Sequence, residues 1–66
     1  MAGQLQVALN SRVIIEQAKG VLAERLQVTP DEAFVTLRRY ARNHNHPLTE
    51  LSREVIRGTV RIPGGR

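Results

Sequence analysis

Cysteine is missing altogether from this chain of 66 residues, so neither a disulfide frame nor a thiolate zinc site can hold it together. That composition suits a reducing compartment, the cytoplasm. Tryptophan is absent as well, and Phe34 and Tyr40 are the only aromatic residues. Two rings are too few for the row of base-stacking platforms found in general single-strand binders. Apolar runs extend over only a few residues, far short of the roughly 20 that cross a bilayer. The opening MAGQLQVALN has neither the basic start nor the continuous apolar segment of a secretory signal. There is no glycine loop for phosphate and no nucleophile beside a base. Asp31 is the single aspartate, and His44 and His46, one residue apart, make a poor metal site. The run His44, Asn45, His46 spells the name of a nuclease motif, but that motif spreads its residues over strands and a helix, whereas these lie together in a link. No catalytic residue, metal or cofactor is therefore expected, and the chain does not read as an enzyme.

What the chain has is positive charge: a formal +4 at pH 7 and a pI near 11.2, which makes a polyanion the first partner to consider. A hydrophobic content of 41% supports one small domain with a marginally stabilising core, which dimerisation or attachment to a larger protein would help.

The clearest local signal is TPDEAFVTLRRYAR, Thr29 to Arg42. Thr29 is a good N-cap, Pro30 suits the first helical position, and Glu32, three residues after Thr29, completes a capping box. Val28 can staple against Ala33. Helical spacing gathers Ala33, Phe34, Leu37, Tyr40 and Ala41 into an inward arc, sets Arg38 and Arg42 on a line just outside it, and points Arg39 further away.

Upstream, Leu5 to about Leu26 reads as a helix with Val7, Ile14, Ile15, Ala18, Val21, Leu22 and Leu26 on one broad face. Val7, Ile14, Val21 and Val28 stand seven apart, a spacing that fits either a short coiled-coil seam with a second copy or a plain buried face. Leu5 and Leu9 lie off that face, as ordinary exposed residues or as contacts for a partner. Arg12, Glu16, Lys19 and Ala23 line the opposite side, which reads as solvated unless a ligand covers it. Gly20 costs roughly 1 kcal/mol in mid-helix, so a backbone, protein or nucleic acid, is expected to approach closely there, most simply a neighbouring helix.

After the second helix, Asn43 can take a left-handed cap and His44 falls on the inward line, where it can close the core. Pro47 can open a third helix to Arg57, with Leu48, Leu51, Val55 and Ile56 inward and Glu50, Arg53, Glu54 and Arg57 outward, stopped by Gly58. A flexible tail is expected over 61–66, with Val60 and Ile62 able to pack down. The expectation is an all-α fold, a small three-helix bundle whose long first helix can extend into a dimeric coiled coil.

The pieces AKGVLA (Ala18 to Ala23), DEAF (Asp31 to Phe34), LRRYA (Leu37 to Ala41) and a third helix beginning near Leu48 together resemble the ANTAR domain, a three-helix RNA-binding module of bacterial transcription antitermination regulators. The family's alanines correspond to Ala18, Ala33 and Ala41 and its aromatic to Phe34, while Ser52 stands where alanine is usual and Ala23 where methionine is common. The resemblance implies residues 11–60 as the RNA-binding domain and residues 1–10 as a helical connector, QLQVALNSRVIIEQ being similar to the segment that follows a GAF sensor domain. It further implies a homodimer through the first helix that binds paired RNA hairpins to prevent terminator formation.

On this view Lys19, Arg38 and Arg42 are the first candidates for RNA contact, Arg12 and Arg39 are outer phosphate contacts, and Ala18, Gly20 and Ala41 keep the surface low for RNA to approach. Two other readings stand beside it. The last two helices could form a DNA-binding helix-turn-helix, although Glu50 and Glu54 on the outer surface of the last one count against that. The chain could also be a helical homodimerisation module with no nucleic-acid role.

Overall fold

The computed structural model describes residues 2–64, with side chains from Ser11 onward. Among the described residues there are three helices and no strands: α1 (Ala2–Leu26), α2 (Pro30–Asn43) and α3 (Leu48–Arg57). The backbone of Ala2 to Asn10 belongs to α1, while the side chains of Leu5, Val7 and Leu9 lie outside the described residues. At about 1.5 Å per residue, α1's 25 residues reach roughly 37 Å, well past the two shorter helices packed on its C-terminal half.

Each helix ends on a left-handed residue that lets a later amide reach back to an orphaned carbonyl. After α1 that residue is Gln27 (φ 58°); the Val28 amide then bonds Ala23 O at 3.0 Å, and the Gln27 side chain donates to Glu24 O at 2.8 Å. After α2 it is Asn45 (φ 52°), not Asn43. Asn43 is still helical, and the amides of Asn45 and His46 bond Arg42 O and Ala41 O at 3.3 and 2.8 Å. Gly58 (φ 81°) closes α3, with Thr59 N on Glu54 O at 3.0 Å.

The capping box forms as read: Glu32 N donates to Thr29 Oγ1 at 3.1 Å and Thr29 N to Glu32 Oε1 at 3.0 Å. Pro47 precedes α3, and its carbonyl accepts from Leu51 N at 2.9 Å.

The core combines Ala18, Leu22 and Ala23 of α1, Ala33, Leu37 and Ala41 of α2, Leu51, Ser52 and Val55 of α3, and Ile62. Burying a leucine or valine side chain is worth about 1.5–3 kcal/mol, and the alanines let helices approach closely. Ser52, fully buried, donates its hydroxyl to Leu48 O at 2.8 Å, so the one buried polar side chain among the described residues is satisfied.

Ala23 corrects the sequence reading. Expected on the solvated side of α1, it is 8% exposed, because α1 is covered by both α2 and α3 and its buried arc is correspondingly wide. Phe34 and Tyr40, expected inward, are half-buried at the edge of the core. His44, expected to close the core, is exposed and stacks on Tyr40, ring centroids 3.9 Å apart and planes 18° apart.

Packing continues beyond α3. Val60 lies against the core and Ile62 is only 4% exposed, so residues 59 to 62 form a strap along the bundle.

Candidate functional site

Cations from α1 and α2 meet over Phe34. Pro30 and the capping box fix where α2 starts, and that start sets Phe34 on the flank facing α1. Lys19 Nζ stands 5.1 Å from the Phe34 ring centroid and Arg38 Cζ 5.7 Å from it. The negative face of an aromatic ring attracts cations at such distances, so one ring holds two like charges from different helices in a shared position. Lys19 is the less exposed of the two, with its side chain 18% accessible and its Nζ 3.5 Å from Glu16 Oε1. A surface pair of that length, one side of it largely open to water, contributes little and leaves the ammonium available.

One helical turn beyond Arg38 stands Arg42. The two guanidiniums line a cleft of about 450 Å³, with Asn45 and His46 on its rim and Ala41, Pro47 and Leu48 supplying apolar wall. The left-handed turn at Asn45 bends the chain so that the α2–α3 link faces the arginine line. His46 Nε2 lies 3.5 Å from Glu54 Oε2, which ties that link to α3. Among the described residues, no carboxylate comes within ion-pair distance of Arg38 or Arg42. Their charge is open to a ligand.

The sequence candidates thus divide. Lys19, Arg38 and Arg42 form one edge. Arg12 lies further along α1, where with Val13, Glu16 and Gln17 it borders a separate shallow depression. Arg39 faces elsewhere, into a groove it shares with Arg61.

The three small residues also behave differently from the reading that grouped them. Ala18 has no exposed surface and packs between helices, while Ala41, 7% exposed, packs in the core and lines the floor of the arginine cleft. Gly20 is exposed, and a Cβ built on it would meet nothing within 4 Å. Among the described residues no neighbouring helix comes within 4 Å of that Cβ, which overturns packing within the bundle as the reason for glycine there.

Sequence reasoning did not place Asn45 and His46, read as link, beside the arginine cleft, or Arg61, read as tail, beside Arg39. The signal for Arg61 was present: Val60 and Ile62 alternate around it, and packing that pair down turns Arg61 outward.

No group of three or more potential metal ligands occurs among the described residues, and no described helix is long and apolar enough to cross a membrane. A family model, described as the ANTAR domain, matches residues 3–56. No curated protein and no solved structure matches the chain significantly.

Proposed function

The chain belongs to the ANTAR domain family, a family of RNA-binding domains of antitermination regulators, and from that membership we propose that it binds RNA stem-loops and regulates transcription by antitermination, without catalysis. The observation that carries the proposal is the edge of Lys19, Phe34, Arg38 and Arg42, where Lys19, only weakly paired with Glu16, meets the unpaired Arg38 over one ring beside a cleft with apolar walls. RNA stems are met through phosphates and 2′-hydroxyls and their loops through unstacked bases. Arginine's planar fork serves both kinds of contact, and the half-buried Phe34 keeps the cations from dispersing into solvent.

The domain acts in the cytoplasm as a homodimer through α1, coupled to an upstream sensor domain. The face of α1 available to a second copy holds Val13, which is 52% exposed, and Gln17 and Gly20 one and two turns on. Gly20 supports this reading because a missing Cβ that serves nothing within the bundle leaves room for a second molecule.

The test is a gel-shift series against paired stem-loops with randomised loops, run across a range of salt. Lys19→Ala, Arg38→Ala and Arg42→Ala are each expected to lower affinity and to flatten the dependence of log K on log salt by about 0.7–0.9 for each phosphate contact removed. Unchanged affinity and slope in all three would overturn the site. A duplex DNA competitor that displaces the hairpins at equal concentration would favour a helix-turn-helix instead.

A further inference from the structure

The hairpin edge leaves a second basic feature on another side of α2 without a role. Gly58 turns the chain back at φ 81°, Ile62 anchors the strap in the core, and Arg61 is held outward beside Arg39. The groove between them is about 430 Å³, within the range of ligand clefts. Thr36, Tyr40, Asn43 and His44 complete its polar lining, and among the described residues no carboxylate borders it. Gathering two guanidiniums without an anion adds nothing to the stability of the fold, and among the described residues neither has an ion-pair partner.

The aromatic pair gives the groove a second recognition element. His44 lies flat on Tyr40 with its Nδ1 3.0 Å from Tyr40 O, so the imidazole plane is fixed from both the ring and the backbone. His44 is nevertheless exposed, and the face turned away from Tyr40 is open to another flat ring. Asn43, also exposed, offers an amide that can both donate and accept. Arg61 lies outside residues 3–56, the part that matches the family model.

We propose that this groove binds an unpaired RNA segment, with one base stacked on His44 and adjacent phosphates held by Arg39 and Arg61. Stacking on an aromatic face together with cationic contact to the backbone is how unpaired strands are held in general; a single platform limits the grip here to one or two nucleotides. The proposal rests on the RNA-binding reading above, because the segment would flank or link the hairpins. Its chemistry is separate from that of the Arg38 and Arg42 cleft, and each of the two histidines reports on one site: His44 on the groove, His46 on the cleft.

The experiment follows both imidazoles by proton NMR while the protein is titrated with a mixed-sequence single-stranded RNA octamer and, separately, with the randomised stem-loops. The octamer should shift His44 upfield and leave His46 in place, and an abasic octamer should lose the upfield shift while still binding. The double variant Arg39→Ala, Arg61→Ala should bind the octamer about tenfold more weakly and with a salt slope lower by about 1.4. Its affinity for minimal stem-loops should be unchanged. His44 unmoved by the octamer, or the double variant binding it as wild type does, would overturn the groove. An octamer that moves His46 instead would overturn it too, by assigning single strands to the cleft. If the octamer moves His44 while the stem-loops move neither ring, the hairpin reading fails and the groove stands.

Discussion

Replacing Gly20 by alanine separates the stability of the bundle from its use. Gly20 lies in the interior of α1, six residues before its last residue, Leu26, so the full backbone term applies: alanine is favoured over glycine in a helix interior by about 0.8–1.0 kcal/mol. No packing penalty offsets that gain, since the new methyl group would meet no described atom within 4 Å beyond its chain neighbours and the nearby backbone of its own helix, and the site is exposed. A gain of about 1 kcal/mol in a domain of this size raises Tm by roughly 4–8 °C. Far-UV circular dichroism melts at several protein concentrations measure it, because dissociation of a dimer would make Tm depend on concentration. In dilute protein, where the monomer dominates, a Tm for Gly20→Ala that is unchanged or lower would refute the reasoning. The second readout is association. If the glycine leaves room for a partner helix or for RNA, the stabilised variant dimerises or binds stem-loops less well than wild type, as expected where a residue trades stability for function. Stabilisation with association and binding intact would remove the functional reason for glycine at that position.

Two further substitutions probe what positions the site. Thr29→Ala removes one half of the capping box and strands the Glu32 amide, at a cost of about 1 kcal/mol; urea denaturation should show the midpoint falling with the slope unchanged, and an unaltered midpoint would mean the start of α2 is set by Pro30 alone. Ile62→Ala deletes the anchor of the strap, and with the side chain 4% exposed the loss should be at least 2 kcal/mol, accompanied by faster amide exchange at Val60 and Arg61. A loss under 0.5 kcal/mol would show that the strap is held by something other than that side chain.

How much of this was legible in the sequence depends on how far apart the interacting residues lie. The start of α2 was readable because Thr29, Pro30 and Glu32 sit within one turn and their chemistry is local. The inward positions Leu37, Leu51 and Val55 were readable for the same reason, periodicity being a property of a single helix. Ala23 was misread because a lone helix was assumed to have one covered face, while α1 is packed by α2 and α3 together. The left-handed residue after α2 was placed on Asn43 in place of Asn45 because either asparagine tolerates that conformation. The deciding factor is tertiary: α2 keeps its helical bonding as far as the Tyr40–His44 stack, and Ala41 O is left to accept from His46.

The cationic residues make the same point more sharply. Arg38 and Arg42 could be paired from their spacing alone, and Arg39, one residue along, could be sent to a different side by the helical angle of about 100° per residue. Nothing in α2 says what Arg39 faces. That is decided by Arg61, 22 positions later, and only because Ile62 buries itself and carries its neighbour onto the bundle. Net charge therefore counts the arginines correctly and says nothing about their division between two clefts. The division follows from one apolar residue in a segment that, by composition, reads as tail. If Ile62 governs where Arg61 stands, then weakening the anchor should impair octamer binding as much as removing Arg61 itself, while leaving the Lys19, Phe34 and Arg38 edge, which spans only α1 and α2, able to meet a stem-loop.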